Sequence, residues 1–293
     1  MKISIITPAY NQAAFIEETL KSIWSQQGDF DLEHIVADGG STDATRDILE
    51  RYDALYRSGD FPFACRSFTF TWWSRPDTGQ SQAINRGFDR SSGSILAWLN
   101  SDDTYLAADS LQHVRDTFSR YDADIVVGNA RPIAGDGTAA GHRWFINTLD
   151  NRQFQVSLRN LNKNNFLLQP ACFFRRHVWE KNRIDENLHF LLDWDFWLRA
   201  YQCGFRFVKT DADYATCRIH AAAKTVQAGK TKYDEGLLLF KKHNTWCLNR
   251  VYYNIYRILM KIEAQPLWAG PAGRLIGYGK RFRNLLVNRL RLY

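Results

Sequence analysis

The chain has 293 residues, 45% of them hydrophobic, which is enough to bury a full core in one large domain, with or without an appendage. No segment approaches the roughly 18 uninterrupted apolar residues of a transmembrane helix. The first residues are already strand-like and lack the apolar region and cleavage site of a secretory signal. A cytoplasmic location is therefore the default expectation.

The net charge of +7 is unevenly distributed. Residues 230–293 contain 13 Lys and Arg and three acidic residues, a net charge of +10, so residues 1–229 carry a net charge of −3. Such asymmetry points to a polyanionic partner for the tail, either a membrane surface or a nucleic acid. The five cysteines are odd in number and form no C-x-x-C pair, which argues against a disulfide framework or a zinc site.

Strand-like and helical segments alternate through the first half of the chain. Strand patterns fall at 3–7, 34–37, 68–73, 95–99 and 125–127, and helical spacing falls at 13–26, 45–56, 81–90 and 110–121. This order predicts a mainly parallel sheet with right-handed crossovers.

The second half of the chain is less regular. Residues 135–138 predict a hairpin turn, and 154–165 predict a mobile loop or a short helix. Strands are expected at 170–174, 205–208 and 214–219, and a helix at 193–201. From residue 232 the chain becomes basic, aromatic and helical, with a break at 266–273 before a last amphipathic helix at 274–292.

Two adjacent carboxylates, Asp102 and Asp103, follow the apolar strand 95–99 after Asn100 and Ser101. The carboxyl ends of strands are where open α/β sheets bind ligands. Oxygen ligands at such a place suit Mg²⁺ or Mn²⁺, ions that commonly hold phosphates. The alternative is an ordinary helix cap.

Two earlier loops carry groups that could hold a nucleotide. Thr7, Pro8, Tyr10 and Asn11 follow the first strand and offer a hydroxyl, a fixed turn, a ring and an amide. The loop 38–43 follows the second strand, where Asp38 could accept hydrogen bonds from a base or ribose. Its two glycines, Gly39 and Gly40, which precede Ser41, would let a ligand approach the backbone closely. Neither loop matches G-x-G-x-x-G or a Walker A motif, so dinucleotide and P-loop folds are disfavoured, and capped turns are the alternative.

A Pro-Asp-x-Gly turn with Asp77 and Gly79 follows the third strand and leads into a short helix with Asn85 and Arg86. An arginine beside a diphosphate would offset its charge, although a surface turn with solvated charges is the alternative interpretation.

Two later positions suggest a base and a further metal ligand. Asp193 begins a helix among aromatic residues, which can raise the pKa of a carboxylate enough for it to act as a base. His220 follows a strand and could supply a nitrogen to a metal held by Asp103. A helix cap and a structural histidine are the respective alternatives.

Taken in order, these motifs resemble the family-2 glycosyltransferases of the GT-A fold. The matching segments are 4–11, 36–43, 76–79, 83–87, 99–103 and 193–199. The resemblance implies a Rossmann-like α/β domain over 1–225, with a mixed, mainly parallel sheet flanked by helices. Residues 1–128 would be the nucleotide-binding half, 129–225 the acceptor and base half, and 226–293 a C-terminal helical appendage.

The resemblance also implies a metal-dependent, inverting hexosyl- or hexosaminyltransferase that uses Mn²⁺ or Mg²⁺. A UDP-sugar is the expected donor, a glycan or lipid-linked hydroxyl the expected acceptor, and cell-surface polysaccharide assembly the expected setting. Asp103 and His220 would hold the metal, and Asp193 would be the base. The donor would be bound by Thr7, Pro8, Tyr10, Asn11, Asp38, Ser41, Asp77, Gly79, Asn85, Arg86, Ser101 and Asp102.

The chain departs from the family pattern at two places. Leu192 stands where the family has a glutamate before the base, which leaves Asp193 or Asp195 as the candidate. Asn100 or Ser101 stands where the first aspartate of an Asp-x-Asp motif is usual.

Several other interpretations remain open. The tail could lie on the inner face of an anionic membrane. Alternatively, it could be a pair of helices packed on its own domain or on a partner. A nucleotidyltransferase is disfavoured because the first loop has no glycine-rich stretch with lysine. A non-catalytic sugar-nucleotide-binding protein stays an alternative, and no recognisable nucleic-acid module is present.

Overall fold

The computed structural model describes residues 1–140, 150–162, 165–224 and 229–243. The strands are β1 (Lys2–Ala9), β2 (Gln27–Asp38), β3 (Ala64–Ser74), β4 (Ile95–Trp98), β5 (Ile125–Ala134), β6 (Cys172–Arg175) and β7 (Phe207–Ile219). The helices are α1 (Ile16–Trp24), α2 (Thr45–Ser58), α3 (Gln80–Arg90), α4 (Ser110–Arg120), α5 (Asn151–Arg159), α6 (Arg176–Lys181), α7 (Leu192–Gln202) and α8 (Gly229–Lys242).

The seven strands form one mixed sheet in the order β3-β2-β1-β4-β6-β5-β7. Strand β6 is antiparallel to both of its neighbours, and the other neighbouring pairs are parallel. The predicted α/β fold with a mainly parallel sheet is therefore confirmed. Because β1 to β4 run in the same direction, the loops that follow them emerge at one edge of the sheet.

The centre of the sheet is apolar on both faces, as expected for parallel strands covered by helices. Ile3, Ile5 and Ile6 of β1 are completely buried, and β4 is buried along its whole length. Helix α3 packs closely on β1, because a Cβ added to Gly87 would lie 2.4 Å from the Cγ2 atom of Ile6. A glycine at this position lets the helix that follows the third loop lie directly on the central strand.

Aromatic side chains fill the two sides of the sheet differently. On one side, the ring of Trp24 contacts five other rings at centroid distances of 5.0–5.4 Å: Tyr52, Phe61, Phe63, Phe68 and Phe70. Near α7, Trp98 stacks on Trp197 with centroids 5.6 Å apart. Trp98 ends β4, so this stacking fixes α7 against the strand that leads into the Asp102 loop.

Several elements extend beyond the sequence prediction. Strand β2 begins at Gln27 rather than 34, because its polar first half pairs with β3, where Arg66 forms an ion pair with Asp31. Strand β7 is continuous across 207–219 rather than two strands, since irregular pairing with β5 near Asn129 accommodates the polar residues between them. The predicted hairpin turn is confirmed by the bond from Ala134 N to Thr138 O, and a helix occupies much of the 154–165 segment.

Contacts within the chain define two units. The first comprises residues 1–151 and 167–227, and the second comprises 152–166 together with 228–293. The domain boundary expected at 225/226 stays a prediction, and the helix expected at 274–292 lies outside the described residues. In the described part of the chain, no helix combines the length and apolarity needed to cross a bilayer.

A completely buried histidine, His34 of β2, contacts Thr7 near the end of β1. The Nε2 atom of His34 is 3.0 Å from Thr7 Oγ1, and Trp24 Nε1 donates a hydrogen bond to Nδ1 at 3.3 Å. Since Nδ1 accepts, Nε2 carries the proton and donates to Thr7. Burial lowers the pKa of His34 to about 3, so the ring is neutral at physiological pH.

We expect this histidine to make folding stability pH-dependent. Unfolded histidine has a pKa of about 6.5, so the unfolded state binds a proton below that pH. In the native state His34 stays neutral down to about pH 3, so protonation favours the unfolded state. The free energy of unfolding should fall by about 1.4 kcal/mol between pH 7.5 and 5.5 from this group alone. His34→Gln should remove that part of the pH dependence in urea unfolding, whereas His113→Gln, on an exposed face of α4, should not. Equal pH dependence in the wild type and His34→Gln would contradict the assignment.

Candidate functional site

The loops after β1, β2, β3 and β4 are joined to one another by backbone hydrogen bonds. Gly39 N donates to Ala9 O at 2.8 Å, and Arg75 N donates to Asp38 O at 3.0 Å. These bonds continue the sheet ladder past the strand ends. The four predicted loops therefore lie side by side at the carboxyl edge, where open α/β sheets bind ligands.

The first loop is locked to the second and presents one ring to solvent. Asn11 has a φ of 52°. Its backbone N donates to Ser41 Oγ at 2.8 Å, and its side-chain Oδ1 accepts from Thr42 N at 2.9 Å. Tyr10 is 59% exposed, an unusual state for a large aromatic residue. Thr7, expected to contact the nucleotide, is instead buried against His34, and Pro8 is also buried.

Asp38 is saturated by donors from its own protein. Its Oδ2 accepts from Gly40 N at 3.2 Å, Ser41 N at 3.0 Å and Ser74 Oγ at 2.5 Å, and its Oδ1 accepts from Ser41 Oγ. The residue is 1% exposed. The carboxylate therefore shapes the loop from inside, and the assignment of Asp38 to a base or ribose stays a prediction.

The third loop carries a carboxylate that is only partly engaged. Asp77 Oδ1 accepts from Gly79 N at 2.8 Å, and burial raises the pKa of this half-buried carboxyl. Arg86 Nη1 donates to Pro76 O at 3.3 Å, which ties the loop to α3. Asp77 and Arg86 thus lie on the side of the site where the sequence places a nucleotide.

Asn85 has a structural role that the sequence did not indicate. It is 2% exposed, and its Nδ2 donates to Ile184 O and to Glu186 Oε1, both at 2.9 Å. Its Oδ1 accepts from Trp179 Nε1 at 3.2 Å. This amide was expected to contact the donor, but its bonds fasten α3 to the segment that precedes α7.

The two adjacent carboxylates differ in environment. Asp103 is 3% exposed, its Oδ1 accepts from Arg218 N at 2.9 Å, and its Oδ2 accepts from Asn100 Nδ2 at 3.3 Å. Burial and the neighbouring charge of Asp102 raise the pKa of Asp103 well above its usual range. Asp102 Oδ2 lies 3.1 Å from His220 Nε2. His220 therefore contacts Asp102, and the assignment of Asp103 and His220 to a metal stays a prediction.

Arg218 holds this loop in place, and the sequence analysis did not assign it a role. Its Nε donates to Asp102 O at 2.9 Å, its Nη1 donates to Gly135 O at 3.1 Å, and its Nη2 forms an ion pair with Glu18. The residue is 4% exposed. A charged residue inside an otherwise strand-like segment was the available signal.

Three amides beneath the loop were also missed. Gln80 Nε2 donates to Asn100 Oδ1 at 2.7 Å, Asn100 Nδ2 donates to Gln169 Oε1 at 3.3 Å, and Gln169 Nε2 donates to Trp98 O at 2.6 Å. This chain of bonds explains the departure at Asn100: the side chain must donate to Asp103, which a carboxylate at this position would repel.

The structure separates the two candidate bases on α7. Asp195 is completely buried, and Arg199 Nε donates to its Oδ2 at 2.7 Å. Asp193 is only partly buried and lies one residue inside the start of the helix. Asp195 is therefore engaged in an internal ion pair, and the choice of Asp193 as the base stays a prediction.

The charges of Asp193 and of the two carboxylates in the β4 loop act on the same cysteine. Burial raises the pKa of the Cys217 thiol on β7. The negative charges of Asp103, Asp102 and Asp193 raise it further. All three carboxylates therefore act on the Cys217 thiol.

The donor set at this point fits a divalent cation that is shared with a phosphorylated ligand. A carboxylate and an imidazole, Asp102 and His220, are both ligands that Mn²⁺ accepts. Within the described ranges, no three Asp, Glu, His or Cys side chains converge as a complete protein cage. Such an ion would take its remaining ligands from phosphate oxygens and water, as is usual for Mg²⁺ at phosphate-transfer sites.

Solved structures with the same fold bind nucleotide sugars. A structure of TarS residues 1–349 from S. aureus in complex with UDP-GlcNAc has a TM-score of 0.61 and 17% identity, covering 86% of this chain and 69% of that one. The mannosyltransferase PcManGT from Pyrobaculum calidifontis, solved with GDP-Man and Mn²⁺, has a TM-score of 0.56 and 17% identity, covering 96% and 79%. In a longer structure of TarS, the match to this chain covers only 41% of the TarS chain.

Sequence comparison identifies the family directly. A PGL/p-HBAD biosynthesis glycosyltransferase of Mycobacterium bovis is 31% identical over 201 residues, which are 68% of this chain and 69% of that protein. The profile described as Glycosyl transferase family 2 matches residues 4–183. The chain belongs to glycosyl transferase family 2, and its fold is that of the GT-A glycosyltransferases.

Proposed function

We propose that this protein is an inverting glycosyltransferase that moves a hexosyl or hexosaminyl unit from a nucleoside-diphosphate donor to a hydroxyl of a glycan or lipid-linked acceptor. A UDP-sugar is the expected donor, and cell-surface polysaccharide assembly the expected setting. The observation that supports the proposal is that the charges of Asp193 and Asp102 both raise the pKa of the Cys217 thiol, while Asp102 Oδ2 lies 3.1 Å from His220 Nε2. Asp193 would take part in proton transfer, and Asp102 in a metal–diphosphate complex.

The donor would lie along the edge formed by the first four loops. Tyr10, Asn11 and Asp77 are exposed or half-buried and can contact the nucleoside, with Gly79 and Arg86 beside them. Ser101 would contact the donor next to Asp102. Five other residues of the sequence prediction would support the loops from within: Thr7, Pro8, Asp38, Ser41 and Asn85.

Asp102 and His220 would hold the divalent ion, Mn²⁺ or Mg²⁺, and Asp103 would position the loop. When bound, the ion would neutralise charge on the leaving nucleoside diphosphate. The bond from Arg218 N to Asp103 and the bond from Arg218 Nε to Asp102 O fix the backbone of the loop. The Asp102 side chain is thereby presented to the site before any ligand arrives, so no free energy is spent on ordering it.

Asp193 would act as the base. Its carboxylate takes the proton of the acceptor hydroxyl, and the acceptor oxygen attacks the anomeric carbon from the face opposite the diphosphate. The carbon–oxygen bond to the diphosphate breaks, and its electron pair leaves with the nucleoside diphosphate. One displacement inverts the configuration at the anomeric carbon.

Asp193→Asn should lower transfer by about a hundredfold to ten-thousandfold, because an amide cannot accept the proton. Binding of the donor should be retained. The donor is first selected by thermal stabilisation in a screen of nucleotide sugars, and release of nucleoside diphosphate with acceptor is then measured.

Asp195→Asn is the matched control on the same helix. It breaks a buried ion pair with Arg199, so it should lower the melting temperature, which Asp193→Asn should leave nearly unchanged. Transfer at the native rate by Asp193→Asn would show that this residue is not the base. Donor binding without transfer in the wild type would favour the non-catalytic alternative.

Metal dependence should follow Asp102 and His220. In calorimetry, Mn²⁺ should strengthen donor binding to the wild type, and Asp102→Asn or His220→Gln should abolish most of that effect. Asp103→Asn should chiefly lower stability, since this side chain anchors the loop from a buried position. Loss of the Mn²⁺ effect in a stable Asp103→Asn protein, with Asp102→Asn unaffected, would restore the sequence-based assignment of Asp103 as the metal ligand.

We also propose that residues 230–293 contact an anionic membrane surface and bring the site to a lipid-linked acceptor at the inner face of the membrane. The net charge of +10 in this segment supports the proposal, together with its alternating basic and aromatic residues.

Reversing three of these charges should release the protein from anionic vesicles. Lys280→Glu, Arg281→Glu and Arg283→Glu together should weaken binding to phosphatidylglycerol vesicles by about a hundredfold, since each basic residue near such a surface contributes about 1 kcal/mol. Cosedimentation measures the bound fraction, with neutral phosphatidylcholine vesicles as the control. Unchanged binding by this variant, or by a folded protein lacking 245–293, would rule out the proposal.

A further inference from the structure

A phenylalanine at the start of α1 lies between two residues of the candidate site. The centroid of the Phe15 ring is 4.5 Å from that of the His220 imidazole, and the two ring planes are 48° apart. The central guanidinium carbon of Arg218 lies 5.1 Å from the centroid of the same ring. One half-buried ring therefore contacts both the histidine that pairs with Asp102 and the arginine that holds the Asp102 backbone.

The Arg218 guanidinium is a buried charge that is held by several groups at once. Its side chain is 1% exposed, and its nitrogens donate to the backbone oxygens of Asp102 and Gly135 and to the Glu18 carboxylate. A buried cation is costly unless an opposite charge compensates it, and Glu18 supplies that charge from α1. One short segment at the start of α1 thus holds the guanidinium with the ring of Phe15 and the carboxylate of Glu18.

Helix α1 also holds the loop that follows β4. Thr19 Oγ1 donates to Asp103 O at 2.8 Å, and Ser22 Oγ accepts from Tyr105 N at 3.1 Å. Because Thr19 and Ser22 are three positions apart, they lie on one face of the helix. The loop is therefore fixed to the same helix that carries Phe15.

We propose that Phe15 and Glu18 are positioning residues of the metal–diphosphate site. Phe15 fixes the plane of the His220 imidazole, so that its Nε2 lies 3.1 Å from Asp102 Oδ2. Glu18 keeps the Arg218 guanidinium in its bond to Asp102 O. Each acts through the residue that it contacts, and neither is a ligand of the ion. This inference rests on the proposed function, because it takes Asp102 and His220 to hold the ion.

Orientation of the imidazole matters because the lone pair of its nitrogen lies in the plane of the ring. Without the neighbouring ring of Phe15, His220 could turn about its side-chain bonds, and binding of the ion would have to order it. Groups that orient metal ligands typically contribute about tenfold to a hundredfold to metal affinity. The effect of Phe15 should therefore appear in the part of diphosphate binding that depends on the ion.

The test is a calorimetric titration of the full chain with UDP and with GDP, each in Mn²⁺ and in EDTA. For the tighter of the two ligands, the ratio of the affinities with and without Mn²⁺ isolates the contribution of the ion. Phe15→Leu keeps apolar volume but removes the ring face, so it should lower this ratio by about tenfold. Phe15→Tyr keeps the ring and should retain most of the ratio. A general distortion of the nearby first loop would instead weaken binding in both conditions and leave the ratio as in the wild type.

Replacement of the carboxylate tests the second residue. Glu18→Gln keeps an oxygen for the bond from Arg218 but removes the charge, so the variant should fold and the ratio should fall by about threefold. Glu17→Gln is the matched control, since Glu17 pairs with Lys21 on the same helix, and it should keep the wild-type ratio. Because the Glu18 side chain is 57% exposed, this variant tests the proposal even if Phe15→Leu does not fold.

The outcomes separate this inference from the proposed function. A wild-type ratio in a folded Phe15→Leu or Glu18→Gln protein overturns the role of that residue, while the proposed function stands. If Mn²⁺ does not strengthen diphosphate binding to the wild type, or if neither diphosphate binds, the metal–diphosphate site and this inference are both overturned.

Discussion

Complete burial of the central strands governs the rest of this molecule. Residues of β1 and β4 are packed between helices on both faces, so no polar group can reach solvent through the middle of the sheet. Strand β1 pairs with β2 on one side and β4 on the other, which satisfies backbone groups that water cannot reach. Chemistry is confined to the strand ends, where the chain leaves the sheet, and the loops inherit the rigidity of the strands they follow.

Buried polar residues at that edge hold the loops in place, and their neighbours in sequence are more exposed. Asp38, Asn85 and Asp103 each have their polar atoms engaged by two or more protein partners. Such saturated groups stabilise irregular backbone that would otherwise be costly to bury. The residues beside them in sequence, such as Asp102 and Arg86, are less buried.

The fold could be predicted from the sequence because hydrophobic period and chain order determine a β-α-β sheet. The common edge of the first four loops could be predicted for the same reason, since the loops that follow parallel strands emerge at one edge. The different environments of neighbouring carboxylates could not be predicted from the sequence. Whether Asp102 or Asp103 faces outward depends on a bond to Arg218 N, 115 positions later in the chain. Asp193 and Asp195 also differ through a contact with a later residue, because Arg199 Nε donates a hydrogen bond to Asp195. The continuous strand β7 was missed because pairing with β5, rather than local propensity, carries it across polar residues.

The absent side chain at position 39 has an evolutionary consequence. A side chain there and the carboxylate at 77 compete for one volume, so the two positions are not independent. A relative that acquires a side chain at 39 must move or shorten the residue at 77, because the new Cβ and the carboxylate would otherwise overlap. The two positions should therefore covary.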